Sequence, residues 1–320
     1  MDADLLSFFV HVNFQTTIRQ SVGMSGIGLH TGVAGRVSLH PAPVDTGIIF
    51  RRTDLENFPI EAQGFNVARV SYATSLIKQG VLLSTTEHLL AALYASEIDN
   101  VYVDVDAIEV PILDGSAEPF MEMLDRAGIR QLRRKRRYLK VLKPIEVEEP
   151  DPHIRDQVRR IGIYPAEQFR LRCYVDFPHP LIGRQEVEMT VTRVAFRQTL
   201  SRARTFCFER DIEPLRAMGL IRGGSLENAI VLTETDVMNG PLRYADEFGR
   251  HKALDLIGDL ALIGLPLLGR VVAYRAGHAM HTQLVSRLLA DPSAWAIVSE
   301  AAETVTSRPP AVLAPAPATD

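Results

Sequence analysis

The stretch Arg250-His251-Lys252-Ala253-Leu254-Asp255-Leu256-Ile257-Gly258-Asp259 carries more ionisable groups than so apolar a segment should. Read as a helix continuing through Ile263, it places His251, Asp255 and Asp259 in one sector at about 100° per residue, with Lys252 at the edge. Nearly every other position is apolar, and a helix apolar almost all round is buried. Buried carboxylates and imidazoles are costly unless they pair or bind a metal. His251 and Asp255 at i and i+4 offer two ligand atoms one turn apart, the chelating geometry of helical zinc motifs. The alternative is an ordinary surface His/Asp pair, and the scarcity of polar neighbours argues against it. Spacing alone leaves the functional and the structural readings open.

Nine histidines are present, and four stand where chemistry is plausible: His88, His251, His278 and His281. His88 follows Glu87 at the opening of a helix. Ser84-x-x-Glu87 also reads as a capping box, with Glu87 reaching back to the Ser84 amide, and on local grounds this is the stronger reading. The functional reading makes Glu87 a carboxylate beside a ligand histidine, placed to take a proton from an attacking water. His278 follows Gly277 at another helix start, where the dipole disfavours imidazolium. A charged His278 therefore needs a carboxylate, and Asp259 is the candidate. His88, His251 and Asp255 together make a three-ligand set of the kind seen in catalytic zinc sites with an open fourth position. Structural zinc sites favour four ligands rich in Cys, whereas this chain has only Cys173 and Cys207. Imidazole and carboxylate ligands suit Zn2+, with Fe2+ as the alternative.

The elements that must position these groups follow from periodicity. Helical spacing runs from Ser84 to Asp99 (Leu89, Leu90, Leu93, Tyr94), from Glu118 to Gly128, from Asp211 to Met218, and from Gly277 onward. Strand patterns occupy 35–40, 48–50, 101–106, 138–147, 169–177, 187–191, 229–232 and 269–274, and 110–117 reads as a strand entering a turn. Each half has a helix opening near a histidine, then a strand, then a second helix. The pattern predicts a duplicated unit and an α+β class: two similar domains, each a β-sheet packed with two helices. The expected boundaries are an N-terminal extension (1–14), a first domain with a basic linker (15–137), a second domain (138–305) and a flexible tail (306–320).

Composition narrows the function classes. The chain has 320 residues, 46% of them hydrophobic, and a formal net charge of -4, which gives no global argument for nucleic acid or anionic membrane. Two cysteines make no disulfide framework and point to a reducing compartment. No apolar run reaches the length of a membrane span. Leu5 to Val10 is apolar but lacks the flanks of a signal peptide. The basic run Arg133-Arg134-Lys135-Arg136-Arg137 reads as a solvated linker rather than a phosphate-binding patch.

These motifs, taken in order, resemble the UDP-3-O-acyl-N-acetylglucosamine deacetylase family, the zinc amidases of lipid A synthesis in Gram-negative bacteria. The matching stretches are Gly26-Ile27-Gly28-Leu29-His30-Thr31-Gly32, Ser84-Thr85-Thr86-Glu87-His88-Leu89, Ile98-Asp99-Asn100 and Pro111-Ile112-Leu113-Asp114-Gly115-Ser116-Ala117. They continue with Ser201-Arg202-Ala203-Arg204-Thr205-Phe206, Gly223-Gly224-Ser225, Arg250-His251-Lys252-x-x-Asp255-x-x-Gly258-Asp259 and Gly277-His278-Ala279. Any one is weak; the ordered set, over roughly residues 15 to 290, is specific. The resemblance implies zinc on His88, His251 and Asp255, Glu87 as general base, and His278 as oxyanion stabiliser or acid, held charged by Asp259. It implies an active site between the two domains, with Thr205 at the oxyanion, and Lys252 and His30 at the polar head of the substrate. An insert from Ile212 to Val231 would form an acyl-chain tunnel lined by Phe206, Ile212, Ile221, Leu226 and Val231, with Gly224 and Ser225 in its turn. The implied partner is a UDP-linked acylated amino sugar, with no nucleic acid and no transmembrane segment, for a monomeric cytoplasmic enzyme. The rivals from other classes are a nucleic-acid-binding module using residues 133–137 and an acyl-lipid carrier using the insert.

Overall fold

The structure, a computed structural model, describes residues 14–68, 72–152 and 157–299. Of the expected N-terminal extension only Phe14 lies within it, and the expected tail lies outside the described residues. Phe14 opens a strand rather than closing an accessory segment.

Six helices are described: α1 (Glu87–Ala95), α2 (Glu118–Ala127), α3 (Arg193–Thr199), α4 (Glu209–Ala217), α5 (Glu247–Leu260) and α6 (His278–Ala290). Two five-stranded sheets carry them. The first runs Val22–Ile27, Ala34–Pro41, Val101–Val105, Ile48–Arg52, Phe58–Glu61, and the second runs Ile145–Pro150, Val158–Tyr164, Arg270–Tyr274, Arg170–Phe177, Gly183–Thr190. Each sheet has the order 1-2-5-3-4 in its own strands, and each has a single parallel pair, formed by its fifth strand with its third. α1 precedes the fifth strand of the first sheet and α2 follows it; α5 and α6 stand in the same places in the second. The duplication expected from the sequence is therefore real, and the class is α+β with two similar units.

Alternation explains which face of each sheet is covered. Val37 and Leu39, Val101, Val103 and Val105, and Leu171, Cys173 and Val175 are buried, while their neighbours are more exposed. α5 packs on Arg170–Phe177, α2 lies against Val22–Ile27, and α6 lies against Ile145–Pro150. The equivalent helices α1 and α5 pack on each other, so a single apolar core spans both units.

Some expectations change. The basic run is not a linker: Arg133 to Lys135 end the strand Ile129–Lys135, which pairs antiparallel with Phe14–Ile18. Arg136 is buried, donating to Asp99 Oδ1 at 2.8 Å and Glu97 Oε1 at 2.9 Å, because folding supplies two carboxylates that sequence order does not reveal. Residues 110–117 form no strand. Val110 donates to Ser84 O and Ile112 to Ile27 O, and Leu113 and Gly115 adopt φ of 57° and 82°, turning the chain into α2. α1 begins at Glu87 rather than Ser84, and Tyr138–Val141 and Ile145–Pro150 are separate strands. α3 and the strand Val158–Tyr164 were not foreseen.

The α1–α5 contact depends on one missing side chain. A Cβ on Gly258 would lie 2.1 Å from Glu87 O and 2.8 Å from its carbonyl carbon. Both are backbone atoms of a helix fixed in the core, so neither can move aside cheaply. Gly258→Ala is expected to lower stability by about 1–3 kcal/mol, the usual cost of overpacking. An unchanged urea unfolding midpoint would show that the two helices can separate freely.

Candidate active site

His88 stands in the first turn of α1, and His251 and Asp255 lie one turn apart on α5. With Glu87 and Asp259 they are 0–4% exposed, so the buried ionisable stripe read from the sequence is confirmed. Asp255 Oδ1 lies 3.2 Å from His251 Nε2 and 3.5 Å from His88 Nε2, and the two imidazoles meet edge to face with centroids 5.0 Å apart. Yet Oδ1 accepts no hydrogen bond of proper geometry. A buried carboxylate oxygen without a donor is costly, and its convergence with two imidazole nitrogens, three ligand atoms in all, suits a divalent metal.

Neighbouring contacts prepare these atoms for that role. His251 Nδ1 is 3.0 Å from Ala203 O, which makes Nδ1 the protonated nitrogen and leaves the Nε2 lone pair free. Burial pushes His251 down to about 4, which keeps it neutral, although Asp255 opposes this. Lys252 Nζ donates to Asp255 Oδ2 at 3.0 Å, occupying one carboxylate oxygen and leaving Oδ1. Burial alone would raise Asp255; the charges of His251 (once it is protonated, in acid), Lys252 and His278 outweigh it and hold the group well below the usual carboxylate range. His88 Nδ1 is buried without a partner among the described residues.

Glu87 does not cap α1. The helix has no side-chain cap, and the Ser84 hydroxyl accepts from Ser75 at 3.0 Å. Glu87 Oε2 instead accepts from the amide of Thr74 at 3.1 Å, across the site from Asp259. The capping-box reading fails because the chain before Glu87 is anchored elsewhere and gives the side chain no amide to return to. Burial raises Glu87 above its ordinary range, partly offset by His278 and His88.

His278 is the first residue of α6. Its Nδ1 donates to Asp259 Oδ2 at 2.7 Å. Burial and the helix N-terminus both disfavour its charge, but Asp259, Asp255 and Glu87 prevail and raise it to about 9. Thr74, which the sequence reading did not single out, and His281, which it singled out without a role, complete the network. The Thr74 hydroxyl donates to Asp259 Oδ1 and lies 3.2 Å from His278 Nδ1. His281, one turn beyond His278, shares Asp259 Oδ2 at 2.8 Å, and burial keeps its affinity for a proton low. The 278/281 spacing was a legible signal; Thr74, in an irregular segment, had none. Asp259, His278 and His281 also cluster closely enough to ligate a metal, but a charged imidazole hydrogen-bonded to the carboxylate makes them an ion-paired network instead.

An apolar cavity of about 320 Å³ adjoins this network. All of the residues expected to line a tunnel do so: Phe206, Ile212, Ile221, Leu226 and Val231, together with Gly224 and Ser225. Thr205 and His30 line it too. Leu29, Tyr72, Cys207 and Met238 were not anticipated in its wall. Phe206 leads from cavity to ligand set: its ring lies 6.4 Å from that of His251, with Lys252 Nζ 5.6 Å from its centroid. Both ring nitrogens of His30 are buried without partners, and burial lowers its affinity for a proton. The segment from Ala203 to Phe208 thus supplies both the carbonyl that orients His251 and one wall of the cavity.

Comparison with known proteins places the chain among amidohydrolases of the deacetylase kind. Residues 15–290 match the family model described as UDP-3-O-acyl N-acetylglycosamine deacetylase. A UDP-3-O-acyl-N-acetylglucosamine deacetylase of Solibacter usitatus (strain Ellin6076) is 54% identical over 289 residues, 90% of this chain and 95% of the relative. One from Anaeromyxobacter dehalogenans (strain 2CP-C) is 45% identical over 285 residues, covering 89% and 90%, and one from Myxococcus xanthus (strain DK1622) is 43% identical over 286, covering 89% of each. The chain belongs to the UDP-3-O-acyl N-acetylglycosamine deacetylase family, and no helix among its described residues is long and apolar enough to cross a membrane.

The His278–Asp259 pair can be tested in the metal-free protein. Nitrogen NMR should show the His278 imidazole titrating near pH 9, and Asp259→Asn should lower that value by about one to three units, the shift an adjacent opposite charge produces. An unmoved titration would mean that Asp259 does not hold the charge.

Proposed function

We propose that this chain hydrolyses the N-acetyl amide of UDP-3-O-acyl-N-acetylglucosamine, releasing acetate and UDP-3-O-acyl-glucosamine in lipid A biosynthesis. The observation that carries the reading is the placement of Glu87 and a charged His278 around one ligand set beside an apolar cavity. Zn2+ is the metal that His88, His251 and Asp255 fit best, with Fe2+ as the alternative. When bound, zinc polarises a carbonyl and lowers the pKa of water to about 7.

The chain's own groups then divide the remaining work. Glu87, ionised and desolvated, removes a proton from the attacking water. Thr74 fixes the orientation of its carboxylate through the amide contact. His278 enters protonated, with Nδ1 committed to Asp259, so Nε2–H is the proton it can present. That proton stabilises the developing oxyanion or passes to the amide nitrogen as the C–N bond breaks. Acetate and an amine result, and the proton taken by Glu87 balances the one given by His278. Thr205 contributes to the oxyanion through its hydroxyl, because its amide already donates to Gly115 O. Lys252 and His30 serve the polar head of the substrate. The cavity takes the 3-O-acyl chain, whose binding helps hold the acetamide in a reactive position.

Acetate release from the UDP-linked substrate, combined with metal analysis, tests the reading. Chelation should abolish activity and zinc should restore it; full turnover in verified metal-free protein would exclude the metal. Glu87→Gln should retain the metal and lose about 10²–10⁴-fold in rate, the usual share of a general base. The rate should rise with pH as Glu87 ionises, above the ordinary carboxylate range, and fall as His278 loses its proton near 9.

A further inference from the structure

We propose that Glu109 is a positioning residue that couples the acyl cavity to the catalytic base, through four hydrogen bonds joining the cavity wall to the loop before Glu87. The inference rests on the acyl-chain reading of that cavity.

Glu109 lies between Ile108 and Val110 and is 1% exposed. Among the described residues no lysine or arginine pairs with it. Its charge is met by donors instead: Oε1 accepts from the His30 amide at 2.9 Å and the Thr85 hydroxyl at 2.7 Å, and Oε2 accepts from the Thr31 amide at 2.8 Å and the Thr31 hydroxyl at 2.7 Å. Four donors on two oxygens fill the capacity of a carboxylate. A glutamine could not replace it, since its NH₂ would face two donors.

On one side the carboxylate grips the cavity wall. Leu29 and His30 line the cavity, and their carbonyls accept from the amides of Gly223 and Arg222 in the insert, at 3.0 and 3.1 Å. The fit has no slack. A Cβ on Gly28 would lie 2.2 Å from Glu109 Oε2, and one on Gly223 would lie 2.2 Å from Gly28 O. On the other side the carboxylate holds Thr85, which adopts φ 58°, a conformation that a β-branched residue rarely takes. Ser84 is clamped beside it, donating to Ile108 O at 2.9 Å and accepting from the Val110 amide at 3.0 Å. Glu87 and His88 follow directly. A chain seated in the cavity therefore presses on a turn whose position, relayed by Glu109, sets that of the base. This is how binding of a remote, unreactive part of a substrate can act at the reacting centre.

Amide hydrogen exchange with and without myristate tests the coupling, since it needs no turnover. In the wild type the fatty acid should slow exchange both in the insert at 220–226 and in the first turn of α1 at 86–90. In Glu109→Gln the protection at 220–226 should persist, while that at 86–90 weakens about tenfold, as expected for a lost buried hydrogen-bond partner. Thr85→Val should behave likewise and Thr85→Ser, which keeps the hydroxyl, should restore the response; these two decide the matter if Glu109→Gln does not fold. Kinetically, Glu109→Gln should lower kcat for the acylated substrate more than for UDP-N-acetylglucosamine, with little change in KM. Undiminished protection at 86–90 in the variants, or equal losses on both substrates, would overturn the coupling and leave the deacetylase reading intact. Absence of protection at 220–226 in the wild type would instead overturn the acyl-cavity reading and the coupling with it.

Discussion

The backbone contact between Gly258 and Glu87 is the constraint on which the site depends. It sets the separation of α1 and α5, and hence the distance from His88 to His251 and Asp255. Helices usually meet through side chains about 8–10 Å apart at their axes; here a missing Cβ lets one helix rest on the peptide of the other. Three ligand atoms from two helices can then converge without long, mobile side chains. The residue touched is Glu87 itself, so the proposed base and the candidate ligand set are placed by the same contact.

A second consequence is electrostatic. Bringing α1 and α5 together buries Glu87, Asp255, Asp259 and three histidines in one region. Burial acts against every charge, yet the groups separate because their neighbours differ. Asp255 and Asp259 face cations and stay low. Glu87 lacks such close partners and rises. His278, paired with Asp259, rises to about 9, while for His251 burial outweighs the pull of Asp255 and of the Ala203 carbonyl and lowers it to about 4. Environments that drive like groups apart in this way assign acid and base roles.

Much of this was legible in the chain because helical periodicity reports burial. The 251/255/259 stripe stood out on an apolar helix, whereas the insert's place in a cavity wall came only from the family resemblance. The repeat was legible only in outline, since the 1-2-5-3-4 strand order depends on pairings between residues distant in sequence. Local pattern misled where tertiary partners decide the outcome. Ser84-x-x-Glu87 has the spacing of a capping box, but Thr74 and Ser75 draw its two side chains elsewhere. The basic run resembles a linker until Phe14–Ile18 pairs with it and Glu97 and Asp99 surround Arg136. Thr74 and Glu109 had no local signal, because each works through partners that only the fold brings near.

The duplicated architecture has one further consequence. The candidate ligand atoms are divided between equivalent helices of the two repeats, His88 on α1 of the first and His251 and Asp255 on α5 of the second. Neither repeat holds a complete set. On the proposed reading, a nascent chain that has folded only its first unit has no reactive centre, and a fragment ending before α5 is inert. On that reading hydrolytic power arises only when both halves have been made and joined.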